Sequence, residues 1–89
     1  MDRLTCVFDG RVQGVGFRYT VHNLAMQYNV QGYVRNLPDG AVEVVMEGPE
    51  NDMTGLLEDI KQKMNDYIRD VKVSRSPATG EFQRFFIRH

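Results

Sequence analysis

The chain has 89 residues, enough for one hydrophobic core that buries roughly 60 to 65% of the unfolded surface and too few for two. Eleven Lys and Arg against twelve Asp and Glu leave a formal net charge of -1, which excludes a polyanion held by overall electrostatic attraction and counts against nucleic acid. The single cysteine, Cys6, excludes an internal disulfide, and the two histidines, His22 and His89, stand too far apart to form a ligand cluster of metal-site spacing.

The opening "MDRLTCVFDG" has no basic region followed by a long apolar run, and no window approaches the roughly 20 apolar residues that span a bilayer. The expectation is a single domain over 1–89, cytoplasmic, free of membrane and monomeric. Residues Arg3 to Asp9 alternate, with Leu4, Cys6 and Phe8 on one side, as a half-buried strand does. Cys6 therefore reads as an inert core thiol.

"GRVQGVGFRYT", Gly10 to Thr20, follows directly. From Phe17 the apolar residues Val21, Leu24, Ala25 and Tyr28 keep the spacing of one helix face, with Asn29 as an end signal. "VQGYVRN" and "AVEVVMEG" are strand-like and are joined by Leu37-Pro38-Asp39-Gly40, where proline presets a turn and glycine supplies positive φ. After Gly48-Pro49, the acidic Glu50 and Asp52 suit a helix start, and Met53, Leu56, Leu57, Ile60 and Met64 make its buried stripe. Lys61, Lys63, Asp59 and Asp66 read as its solvated face. "RDVKVSRS" and "EFQRFFIRH" supply two more strands around a loop from Pro77 to Gly80. The order β-α-β-β-α-β, with an extra strand, predicts an α+β fold of split β-α-β type: an antiparallel sheet with two helices on one face.

Glycines at 10, 14 and 16 let successive N–H groups turn inward as a nest, and the helix that follows adds its own unsatisfied N–H groups and positive dipole end. Arg18 lies in the first turn, where a cation is unfavourable unless an anion is shared. One reading is a phosphate held by the backbone of Arg11, Val12, Gln13, Gly14 and Val15 and gripped by the Arg18 guanidinium. The other is an ordinary glycine-rich turn with a solvated arginine. Two better-known phosphate motifs are missing: no Gly-Lys-Ser or Gly-Lys-Thr completes a P-loop, and the third glycine of a dinucleotide fingerprint is absent. Asn36 ends a central strand at the hairpin and can both donate and accept, which suits holding a water or merely opening the turn. Its neighbour Arg35 points to the opposite sheet face by alternation and reads as structural.

At this point the residues resemble a known family, the acylphosphatases. "GRVQGVGFR" is similar to the family's first signature and "GYVRNLPDGAVEVVMEG" to its second, at every specified position. The likeness extends over the Gly48-Pro49 helix entry and the closing "FFIRH". This chain departs from many members in having Val21 where a threonine is common, with Thr20 one position earlier, and in Leu37 and Phe8. The resemblance implies a ferredoxin-like fold and hydrolysis of acyl phosphates to carboxylate and inorganic phosphate, without metal or cofactor. Matched by position, the family's phosphate-binding arginine falls on Arg18, its water-positioning asparagine on Asn36, and its phosphate loop on Arg11 to Val15.

An acyl phosphate loses a carboxylate, a good leaving group, so positioning and charge stabilisation suffice without a strong acid. Neither motif core needs His, Asp or Glu for that. The competing readings are a non-catalytic anion-binding domain, as in the larger carbamoyl-transfer maturation proteins, and a nucleic-acid-binding module of the same strand order. The latter needs free aromatics on the middle strands, where Tyr33 stands alone.

Overall fold

The computed structural model describes residues 1–89. Its elements follow in the order β1 (Asp2–Gly10), α1 (Phe17–Ala25), β2 (Gln31–Asn36), β3 (Val42–Gly48), α2 (Glu50–Lys63), β4 (Ile68–Pro77) and β5 (Phe85–Ile87). The strands form one sheet in the order β4-β1-β3-β2-β5. The expected ferredoxin-like α+β arrangement is present, with one correction: β5 runs parallel to β2, so the sheet is mixed and only its first four strands are antiparallel.

Alternation on the strands decides which face is covered. Leu4, Cys6 and Phe8 of β1, Val34 of β2 and Val42, Val44 and Met46 of β3 all turn to one side, where they meet Phe17, Val21 and Ala25 of α1 and Met53, Leu56 and Ile60 of α2. Cys6 is fully buried, and burial pushes its thiol up to about 12, an inert core group. Phe8 stacks on Phe17 with ring centroids 5.2 Å apart, a pair worth about 1 kcal/mol beyond its area, so the larger residue at position 8 fastens the end of β1 to the start of α1. Val21 is wholly buried in the same core and contributes packing rather than a hydroxyl.

Three local expectations differ from the outcome. Helix α1 closes at Ala25, well before Asn29, because Gln27 and Tyr28 donate to the carbonyls three residues back, tightening the chain into turns. Asp59 is not merely solvated: its carboxylate accepts the Tyr28 hydroxyl and fastens that turn to α2. Only Phe85–Ile87 of the closing run pairs as a strand. The segment 78–84 before it must carry the chain from one sheet edge to the other.

That segment is a strap held by one buried carboxylate. Glu47, 4% exposed, accepts Arg3 Nε at 2.7 Å, Thr79 N at 3.1 Å, Thr79 Oγ1 at 3.3 Å and Gly80 N at 3.1 Å. Burial disfavours its ionised form, but the Thr79 N–H, the Arg3 side chain and the Gly80 N–H outweigh it and hold the carboxyl below its ordinary value. Phe82 then covers Tyr33 on the open face, while Arg35 and the Tyr33 hydroxyl share Glu43 Oε1 at 2.8 and 3.0 Å, the structural role expected for Arg35.

Two predictions follow from this packing. Because the folded value of Glu47 lies below its unfolded one, its stabilisation is present above the ordinary carboxylate range and is lost as pH falls through the folded value. Glu47→Gln should lose about 1–3 kcal/mol at neutral pH and lack that part of the acid limb, as read by urea denaturation across pH. At Gly32, φ is +146° and a Cβ would stand 1.9 Å from Val45 O. Gly32→Ala should cost at least ~2 kcal/mol in thermal denaturation, since backbone rather than a movable side chain has to give.

Candidate active site

Register brings the two signatures together. Val42 pairs with Phe8 on one side and with Asn36 on the other, so the end of β1 and the end of β2 share one rim of the sheet, about two strand spacings, ~10 Å, apart. The loop 11–16 leaves from the first of these ends, and Asn36, exposed, stands at the second.

The loop is pinned at three places. Val12 is wholly buried in the core. The Arg11 N–H donates to Tyr67 O at 2.9 Å. The Gln13 side-chain amide donates to Leu37 O at 2.8 Å and to Ala41 O at 2.9 Å, joining the loop to the hairpin that carries Asn36. Gly14 and Gly16 take φ of +79° and +77°, the left-handed conformation that lets the chain curl back on itself, and a side chain at either would meet no steric obstacle.

These contacts reassign some of the residues singled out in the sequence. The Arg11 N–H is engaged and is not free for a ligand. Gln13 uses its side chain on the hairpin. The N–H groups from Val12 to Gly16 donate to no protein group, so the unpaired run is shifted one residue along from the expected 11–15.

Helix α1 begins on Gly16 with no side-chain cap and no acidic residue in its first turn. Helix α2 is also uncapped by a side chain but has Glu50 and Asp52 there. The positive end of α1 is therefore uncompensated, and Arg18 adds a full charge to it. No carboxylate pairs with Arg18; its one polar contact is Nη1 to His89 Nδ1 at 3.4 Å, a bond in which arginine donates and the ring nitrogen accepts. The Asn36 side chain makes no hydrogen bond within the protein, and Leu37 contributes its carbonyl rather than a hydroxyl.

His89 is the residue that sequence reading missed. The parallel β2–β5 pairing runs to Val34↔Ile87 and Arg88 N donates to Val34 O at 2.9 Å, which brings the chain back to the rim where β2 ends, just before His89. Arg18 touches His89, so the first turn of α1 and the end of the chain after β5 meet there. Nothing in the local sequence signals this, because it depends on a parallel pairing across the sheet edge.

The fold is that of a ferredoxin-like α+β protein, and one rim of its sheet carries an uncapped helix start, a run of unpaired N–H groups and an arginine without a carboxylate partner. The comparisons with known proteins narrow that class. The acylphosphatase family profile matches residues 4–87. An acylphosphatase from Geotalea uraniireducens is 42% identical over 81 residues, covering 90% of this chain and 89% of the relative. The crystal structure of acylphosphatase from Bacillus subtilis superposes with a TM-score of 0.90 at 36% identity over 100% of both chains. HypF from T. kodakarensis contains a similar unit, with a TM-score of 0.85 and 33% identity over 100% of this chain but 12% of its own. The chain belongs to the acylphosphatase family, and its activity is that of an acylphosphatase enzyme, a hydrolase.

Removing the Gln13 amide tests the coupling of loop to hairpin. Gln13→Ala removes one donor from each of two carbonyls that keep a backbone partner, Gly40 N on Leu37 O and Leu37 N on Ala41 O, and should cost about 0.5–1.5 kcal/mol of stability together with roughly tenfold of kcat, since small displacements of a positioning group are expensive. Denaturation and steady-state kinetics on the same variant measure both.

Proposed function

We propose that the phosphoryl group of an acyl phosphate sits on the loop Arg11 to Val15, over the unpaired N–H groups that start at Val12 and run into α1, with the Arg18 guanidinium on its remaining oxygens. The observation that carries this reading is the coincidence of that N–H run with an arginine that has no carboxylate partner. Asn36 holds a water on the far side of the phosphorus from the acyl oxygen. Water adds to phosphorus as the bond from phosphorus to the carboxyl oxygen breaks. One carboxylate and one dihydrogen phosphate leave, the water's proton having passed to a phosphate oxygen.

Preorganised N–H groups and Arg18 follow the charge that redistributes over the phosphoryl oxygens in the transition state, so no general acid is required. Neither metal nor organic cofactor takes part in this scheme. His89 contacts Arg18, which makes it a neighbour of the phosphate grip, and the scheme asks no base of it.

The same proposal makes the protein a cytoplasmic monomer that binds neither nucleic acid nor membrane. Against a nucleic-acid role, Tyr33 is only 9% exposed and lies under Phe82, so the middle strands offer no free stacking platform. No helix is long and apolar enough to cross a membrane. The exposed large hydrophobics, Met1, Tyr19, Met26 and Val73, are scattered singly, the usual pattern of a surface without a permanent partner.

The test is phosphate release from acetyl or benzoyl phosphate with a chelator present. Arg18→Ala should nearly abolish turnover and weaken inhibition by inorganic phosphate. Asn36→Ala should lower kcat on the order of 10²-fold with a smaller effect on phosphate affinity. Full turnover in Asn36→Ala refutes its role, and a sharp loss on replacing His22 or Asp39 refutes proton transfer to the substrate's own phosphate.

A further inference from the structure

An open cleft of about 430 Å³ lies against the outer side of the loop, lined by Gly10, Arg11, Asp66, Tyr67, Ile68 and Arg69. It is chemically uneven. Arg11 and Arg69 are both exposed, and neither belongs to any ion pair of the chain. The Arg11 guanidinium stands 6.0 Å from the centroid of the Tyr67 ring, which limits its freedom. Asp66 is the one carboxylate among the lining residues, so the cleft carries two cations against one anion.

Its position relative to Asn36 gives it a meaning. In the strand order β4-β1-β3-β2, Asn36 ends β2 on one side of the loop, while the cleft lies on the other, where Gly10 pairs with Ile68 of β4. The Arg11 N–H to Tyr67 O bond ties the loop directly to the cleft wall. In-line displacement puts the attacking water and the departing oxygen on opposite sides of phosphorus. A water on the Asn36 side therefore sends the acyl group along the rim of the sheet toward β4, into the cleft.

We propose that this cleft is the acyl-group subsite and that it selects acyl phosphates whose acyl chain bears a second negative group, a carboxylate or a phosphate, read by Arg69 together with the Arg11 side chain. This rests on the placement of water by Asn36. Both arginines are solvent-exposed, so the selection is moderate and salt-sensitive rather than absolute. Attraction of a second anion also raises the encounter rate, since it adds to the field of Arg18 and the helix end.

The experiment compares kcat/KM for succinyl phosphate, which carries a carboxylate on its acyl chain, with that for acetyl phosphate, in the wild type, Arg69→Gln and Arg69→Glu. The wild type should favour succinyl phosphate, and added salt should shrink that preference. Arg69→Gln should lower the succinyl-to-acetyl ratio about three- to fivefold, the range of an exposed ion pair, and Arg69→Glu should lower it further. A ratio that is the same in all three proteins overturns the subsite. Asn36→Ala, measured alongside on acetyl phosphate alone, separates the two claims: retained turnover there refutes the water placement itself, whereas loss of turnover with an unmoved ratio refutes only the cleft.

Discussion

The candidate site depends on the register that sets Val42 between Phe8 and Asn36. A slip of one residue in either ladder would turn the buried set Leu4, Cys6 and Phe8 or the set Val42, Val44 and Met46 to the open face, so the core enforces the pairing. The rim is thus fixed by hydrophobic burial far from any polar chemistry. The Gln13 amide then refines what the register has set, since it binds loop and hairpin through two carbonyls at once. Loop, helix start and Asn36 become parts of one rigid rim.

A net charge near zero conceals how unevenly the cations are deployed. Arg3, Arg35 and Arg75 each meet one or more carboxylates, and they fasten the strap, the open face and the start of α2. Among those that meet none, Arg11, Arg18 and Arg69 lie along the rim or beside it, while Arg84 and Arg88 stand over the aromatic rings of Phe86 and Tyr33. Composition averages over these two groups. Only three-dimensional placement separates cations that hold the fold from cations left without a carboxylate.

Much of this was readable from the chain because several residue types are hard to explain otherwise. Glycines at 14 and 16 ahead of an apolar helix stripe locate the loop, Pro38 and Gly40 locate the hairpin, and Arg18 stands out as a cation at the wrong end of a helix. What escaped reading has a common origin in distance along the chain. The engagement of Arg11 N–H depends on Tyr67, the partner of Asp59 is Tyr28, and the place of His89 follows from a parallel pairing with β2. None of these has a periodic or local signature. The early end of α1 is a different case: the apolar spacing continues to Tyr28, but its N–H closes a turn on Ala25 and its hydroxyl reaches Asp59 of α2.

The strap has a consequence for how the molecule assembles. Asp2 pairs with Pro77, and β5 reaches the opposite edge only after 78–84 has crossed the end of the sheet. Closure of this topology therefore requires contacts between the two extremes of the chain, the kind of non-local pairing that slows folding. Three paired residues hold β5 in place, so it is the strand most easily detached. Its detachment would remove His89 from Arg18 while leaving the other four strands and the loop intact. The Arg18–His89 contact is consequently one that local opening of a single edge strand can break without global unfolding.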